Sequence, residues 1–447
     1  MRLAVVDTTL APHVPRRSAP APRRASRRAG CVPRASSSDG SDLDRDRQAG
    51  SRCSSRRGVL RAASSALLLP ALAPALPARA DDLFCGYYVE NRSVTPQWAF
   101  KTPWSEGAVD VSSATNIEGA KTFLRILGGR EAAAEAGHLP VLCLHGGPGL
   151  GFKYMESCEV LASEKREVAS YDQIGCARSA LAKVPPAGAF APERFAAELA
   201  RLREAAELDK VHVVAHGWGA MLALDHVLGP GALGNGVASL TLVSCPPSYA
   251  RLIQDRRDAL NRMPRDMAEA LVDGDENGAR GSNLSDAGRA LYARAWQEWV
   301  IRHESARAAG ACYDGLSLGG AGAGVGARRG DAPTAAGVAS SSAVARDMTG
   351  GMYFTAGGAL ADWDADAGGR LAQISAVVPA TRVVRGENDA LSLDAAKALV
   401  AGMTRSDMKP RVALVEAKDA GSCVFLDQGA EFLEKTNEFV AKYDEVL

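Results

Sequence analysis

Val141-Leu142-Cys143-Leu144-His145-Gly146-Gly147-Pro148-Gly149 sets a short apolar run directly before a glycine-rich turn. An apolar run bounded by turn residues reads as a buried strand, and glycines after it let backbone N–H groups approach a ligand oxygen. Outward from this point the pattern repeats. Residues 167–171, 211–215, 240–244, 381–385 and 412–416 are further strand-like runs. Amphipathic stretches at 193–207, 221–228, 394–403 and 430–443 alternate with them. That alternation predicts a mostly parallel α/β sheet. Residues 250–355 break the rhythm with helical stretches at 251–262 and 287–303, then a Gly/Ala/Ser-rich tract at 315–343. So Gly-heavy a tract packs a core poorly and is expected to be a flexible loop. The organisation expected is a core of 81–249 and 356–447, interrupted by a helical cap at 250–355.

The chain has 447 residues, with 52 Lys+Arg balanced by 52 Asp+Glu. The balance hides an asymmetry: residues 1–80 hold 15 Arg, five Asp and no Lys or Glu, which leaves 37 basic and 47 acidic groups beyond them. An acidic body argues against nucleic-acid binding. No apolar stretch long enough to span a bilayer lies outside the head, so no membrane span is expected in the mature chain. The head itself is Arg/Ser/Ala/Pro-rich to residue 50, then carries Arg56-Arg57, an apolar run at 66–76 and Ala78-Arg79-Ala80. A transit peptide followed by a twin-arginine-like signal reads as a two-part address for the chloroplast, ending in the thylakoid lumen, with cleavage after Ala80. Another exported compartment, or a low-complexity N-terminus, accounts for the same composition. Seven of nine cysteines lie beyond residue 80 without a C-x-x-C pair, so neither a metal site nor a disulfide framework is indicated. No cofactor is expected.

Two more segments sit at strand ends, where an open α/β sheet places its ligand chemistry. They are Tyr171-Asp172-Gln173-Ile174-Gly175-Cys176-Ala177-Arg178-Ser179 and the strand-turn-helix junction Val213-Val214-Ala215-His216-Gly217-Trp218-Gly219-Ala220-Met221. Together with His145-Gly146-Gly147-Pro148-Gly149 they resemble the proline iminopeptidase (prolyl aminopeptidase) family of α/β-hydrolases, peptidase family S33. Met352-Tyr353-Phe354, Leu360-Ala361-Asp362-Trp363-Asp364 and Leu371-Ala372-Gln373-Ile374 extend the likeness past the cap. The resemblance implies an α/β-hydrolase fold with a helical cap, release of N-terminal proline from peptides, and an oxyanion hole at the Gly147 and Trp218 amides. It implies supporting loop roles for His145, Gly146, Pro148, Gly149, Tyr171, Asp172 and Gln173.

The departures from that family bear on function. Where it has G-x-S-W-G-G, this chain reads Ala215-His216-Gly217-Trp218-Gly219-Ala220, so Gly217 stands at the nucleophile position. Acyl transfer needs an oxygen or sulfur nucleophile there, and glycine has none. Asp389, in Arg385-Gly386-Glu387-Asn388-Asp389, matches the triad acid. Ser422, five residues before Asp427, matches the histidine position. All seven histidines lie at or before residue 303, whereas this fold's order is nucleophile, acid, histidine. The G-x-S-x-G at 315–319 follows no strand and is a decoy. His216 and His145 are expected to be structural, and Cys423 a semi-buried thiol without a base. In Trp296-Gln297-Glu298-Trp299-Val300, Val300 replaces the carboxylate that in some relatives meets the substrate amine, and Glu298 points elsewhere on the helix. Two readings stay open: a non-catalytic derivative that binds a ligand or a partner of unknown identity, and an amide, peptide or ester hydrolase using recruited residues such as Cys423 with His216. In either case a small peptide or amide-like ligand is the expected occupant.

Overall fold

The computed structural model describes residues 102–229, 236–276, 284–306, 335–404 and 411–445. The chain divides into two units, Met1–Ala75 and Leu76–Leu447, and every described residue belongs to the second. The leader and the decoy at 315–319 lie outside the described residues.

Eight strands form one sheet: β1 (Trp104–Asp110), β2 (Lys121–Leu127), β3 (Val141–Leu144), β4 (Val168–Asp172), β5 (Val211–His216), β6 (Val237–Val243), β7 (Thr381–Gly386) and β8 (Val412–Ala417), in the order β1-β2-β4-β3-β5-β6-β7-β8. β1 and β2 pair antiparallel, as do β2 and β4; the remaining neighbours are parallel. Every residue of β3 to β7 is buried, which is why these strands read as unbroken apolar runs. β1 has no buried residue, and its Trp-Ser-Glu-Gly-Ala-Val-Asp carries no strand periodicity.

The core helices are α1 (Pro192–Ala205), α2 (Trp218–Leu228), α7 (Leu393–Met403) and α8 (Gly429–Ala441), and the cap supplies α3 (Tyr249–Leu260), α4 (Arg265–Glu276), α5 (Asp286–Trp299) and α6 (Ala335–Thr349). Two apolar clusters sandwich the sheet, one built on Phe195, Leu199, Met221 and Leu399, the other on Met155, Trp299, Phe432 and Val440. Among the described residues no helix is long and apolar enough to cross a membrane.

α6 corrects one expectation. The tract at 315–343 was expected to be a loop throughout, but a helix begins at Ala335. Its small residues serve close approach: a Cβ on Gly149 would meet the Ser341 carbonyl oxygen at 2.8 Å, and one on Gly175 the Val344 Cγ2 at 2.6 Å. Ser340 donates to the Gly175 carbonyl at 2.9 Å, and Ala343, Val344 and Met348 are buried. The helix lies on both glycine-rich loops.

Candidate functional site

The loops after β3, β4, β5, β7 and β8 converge, and the first three are bound into one network. His145, fully buried, accepts the Gln173 N–H at Nε2 (2.9 Å) and donates from Nδ1 to the Gly146 carbonyl (2.8 Å). Burial holds its pKa below the usual range. Gln173 Nε2 donates to the His145 carbonyl at 2.7 Å, and Trp218 Nε1 donates to Gln173 Oε1 at 2.7 Å. Asp172 accepts the Phe152 N–H (2.7 Å) and the Arg178 guanidinium (2.6 Å). Tyr171 is buried behind them. These residues brace the His145–Gly149 loop, in which the Gly147–Pro148 bond is cis.

Gly217 stands at the turn from β5 into α2 with φ 53° and ψ −117°, a strained region that suits glycine and is the geometry of a nucleophile elbow. Space is not the constraint. A Cβ there would have its nearest neighbour, the Gly146 Cα, 4.0 Å away.

His216, one residue earlier, is occupied on both nitrogens. Tyr154 Oη accepts the Gly146 N–H at 2.6 Å, so its own proton goes to His216 Nδ1 at 2.8 Å. The ring then carries its proton on Nε2, 3.9 Å from Cys423 Sγ, with Phe425 edge-on at 5.3 Å between centroids. Burial drives its pKa down to about 4, although the Glu304 charge and the Ser422 backbone favour the cation. Cys423 therefore has an imidazole beside it, the pair that the recruited-residue reading named, although the thiol was expected to lack a base, and it is fully rather than partly buried. Residues 207 apart in the chain carry no sequence signal of such contact.

Asp389 is 6 % exposed; its Oδ1 accepts the Leu391 N–H at 2.9 Å, and its Oδ2 is buried with no hydrogen bond. Burial pushes its carboxyl up to about 7, against the pull of Ser244 and the Leu391 amide. The Asn388 N–H donates to the Ala420 carbonyl at 2.8 Å, so the Asp389 loop and the Ser422 loop are in register.

Sequence reasoning missed Glu304. Past Trp299 the cap helix widens into a π-turn, Val300–Glu304, whose end docks on the Ser422 loop. The Ser422 N–H donates to the His303 carbonyl and the Cys423 N–H to the Glu304 carbonyl, both at 2.9 Å. Gly421 allows this approach, since a Cβ there would meet the Glu304 carbonyl oxygen at 2.5 Å. The Glu304 carboxylate accepts hydroxyl bonds from Ser422 and Tyr353. Its pKa lies below the usual range: burial opposes ionisation, but Arg256 and the two hydroxyls outweigh it. Val300 is buried and Glu298 pairs with Arg302 at 2.6 Å, so neither faces the site.

Gly147, Pro148, Gly217, Trp218, Asp389 and Ser422 line one cavity of about 80 Å³, with His216, Glu304, Arg256, Trp296 and Tyr353 completing its wall. Of the remaining predicted residues, His145, Gly146, Gly149, Tyr171, Asp172 and Gln173 stand behind this wall. At the opposite ends of the strands, Ser239, His212 and Asp444 form a hydrogen-bonded string of 2.8 and 3.1 Å. Both Ser239 and His212 have zero exposure, so the string clamps the C-terminal segment and reaches no ligand.

Residues 140–280 match the family model described as the alpha/beta hydrolase fold. The chain is 34% identical over 164 residues to a proline iminopeptidase of Heyndrickxia coagulans, covering 36% of this chain and 55% of that protein. It is 28% identical over 183 residues to a proline iminopeptidase of Clostridium botulinum, covering 41% and 57%. The chain thus spans about half the length of the curated relatives it matches. Among solved structures, proline iminopeptidase from Mycobacterium smegmatis superposes with a TM-score of 0.56 at 22% identity, over 76% of this chain and 99% of that one. VinJ superposes with a TM-score of 0.57 at 19% identity, over 76% and 99%. At those identities the likeness is one of fold.

Proposed function

We propose that this α/β-hydrolase-fold chain, a relative of the proline iminopeptidases, binds a small peptide- or amide-like ligand without hydrolysing it. The observation that carries the reading is Gly217. The apex of the elbow has the backbone twist of a nucleophile position and open space before it, but no atom to attack with. Ser422 at the place of the base cannot accept a proton at neutral pH, and no histidine follows Asp389 in the chain. His216, although on the cavity wall, does not replace that base, because its Nδ1 takes the Tyr154 hydroxyl proton and its Nε2 carries the ring's own proton, facing the fully buried Cys423 thiol. A formed cavity and an oxyanion loop braced by His145, Gln173 and Trp218 still suit binding.

The second reading, hydrolysis by recruited residues, draws on the 3.9 Å approach of His216 Nε2 to Cys423 Sγ. Zero exposure of Cys423 weighs against it, since a thiol that meets no ligand is no nucleophile. Turnover of a proline-anilide reporter by the full chain separates the two, measured beside the Gly217→Ser/Ser422→His double variant. Silence of the native chain with activity in the double variant is the expected result. Enzyme-like turnover by the native chain overturns the proposal.

A further inference from the structure

We propose that the corner of the cavity between Asp389, Ser422 and Glu304 is a receptor for a nitrogen base: a small ligand head whose N–H groups are taken up by Asp389 Oδ2 and by the Glu304 carboxylate. The inference rests on reading Ser422 as the residue at the place of the absent base.

The first observation is the orphaned oxygen. Asp389 is 6 % exposed and lines the cavity; Oδ1 is satisfied by the Leu391 N–H, while Oδ2 is buried and makes no hydrogen bond, although the Ser244 hydroxyl, on the same cavity wall, pulls on the carboxyl. A buried acceptor without a donor is costly and is rarely left so in a folded protein. Ser422 lines the same cavity, but its hydroxyl proton is committed to Glu304 and is not available to Asp389.

The second observation is a second carboxylate. Glu304 also lines the cavity, reached through the π-turn that docks on the Ser422 loop. Each of its oxygens accepts a single hydroxyl, from Tyr353 or from Ser422, and each retains a lone pair. The charge of Glu304 is felt at Asp389, which sets two acidic groups around one small space. Two cations lie near. Arg385 donates to the Asp389 carbonyl at 3.4 Å rather than to its carboxylate. Arg256 lies with its guanidinium over the Tyr353 ring, 3.6 Å from the centroid, and its Nη1 donates to the Tyr353 carbonyl at 3.1 Å. It favours the ionised form of Glu304 without bonding either carboxylate.

These features select the ligand chemistry. Above pH 7, where the Asp389 carboxyl is ionised, an anion is repelled by Glu304 and a head with acceptors only leaves Asp389 Oδ2 unsatisfied. A donor on a nitrogen ring or an ammonium answers both, and Trp296 and Tyr353 give such a head an aromatic wall. The cavity of about 80 Å³ has room for a small ring, being several times the roughly 10–15 Å³ that one water needs.

Imidazole is the probe. It is titrated into the full chain at pH 8, to roughly 100 mM, while tryptophan fluorescence is read, since Trp218 and Trp296 border the cavity; a ligand of so few atoms is expected to bind in the millimolar range. Saturable binding by the native chain is expected, weakened at least tenfold by Asp389→Asn, which removes the acceptor, and at least tenfold by Ser422→His, which fills the place from within. Acetate is expected not to compete. Binding of imidazole to Asp389→Asn or to Ser422→His that is weakened less than tenfold, with circular dichroism showing each variant folded, overturns the proposal. So does the absence of a saturable response in the native chain. If Asp389→Asn does not fold, Ser422→His alone decides. The same preparations are assayed for proline-anilide turnover without imidazole. Turnover by the native chain defeats the non-catalytic reading, whereas loss of dependence on Asp389 and Ser422 defeats only the nitrogen-base site.

Discussion

Replacing Asp389 by Asn changes how stability depends on pH, and the change can be worked out from the burial of one carboxyl. Folding raises the Asp389 pKa from 3.8 to about 7. Below pH 3.8 both states hold the proton and the residue contributes no pH dependence. Between there and pH 7 the folded state keeps a proton that the unfolded chain has released, so stability falls as pH rises, by about 1.4 kcal/mol per pH unit. Above pH 7 the loss levels off at about 4 kcal/mol, the product of that slope and the shift. Asn keeps the acceptor for the Leu391 N–H and has no proton to lose. Other groups titrate in the same window: the Glu198 carboxyl, raised to about 8 by burial, and the His216 and His226 rings, lowered to about 4. The difference between native and variant removes them. Urea unfolding of both proteins from pH 4.5 to pH 8 is expected to show Asp389→Asn gaining on the native chain by about 3 kcal/mol across the range. A difference that stays within about 1 kcal/mol across that range would mean that Asp389 ionises normally and that its burial has been misread.

Three further outcomes are expected. Gly217→Ser alone should fold, because its Cβ meets open space, at a cost of about 1–3 kcal/mol for the strained backbone, and should give no turnover without a base; brisk turnover would mean that the base has been misassigned. Asp444→Asn should destabilise the chain by about 3–5 kcal/mol in urea unfolding, because it leaves fully buried Arg166 without its carboxylate; a loss under 1 kcal/mol would show that the clamp is dispensable. N-terminal sequencing of the native protein should begin at Asp81, and an intact Met1 would remove the basis for the two-part targeting address.

The parallel strands were legible because burial on both faces leaves unbroken apolar runs, as in Val141-Leu142-Cys143-Leu144. β1 and β2 were not, since Trp104–Asp110 exposes nearly all its side chains and needs no hydrophobic pattern. α6 escaped for a different reason: alanines and serines that look like linker are chosen for contact with Gly149 and Gly175, a tertiary demand that composition does not express. In the site, Gly147, Gly217, Asp389 and Ser422, singled out by their resemblance to the motifs of the proline iminopeptidases, line one cavity. Glu304 was hidden by the π-turn after Trp299, which shifts the helical register just where spacing would have to be counted. The approach of His216 to Cys423 depends on how two loops fold against Phe425, and no local pattern encodes it.

The central claim is that no side chain of this cavity serves as a nucleophile. Its most direct test is intact-mass and peptide-level mass spectrometry of the native full chain after brief exposure to an activated prolyl ester. No prolyl adduct is expected at Ser422 or Cys423, while the Gly217→Ser/Ser422→His variant should carry one at position 217. A stoichiometric adduct on Ser422 or Cys423 of the native chain would contradict the account.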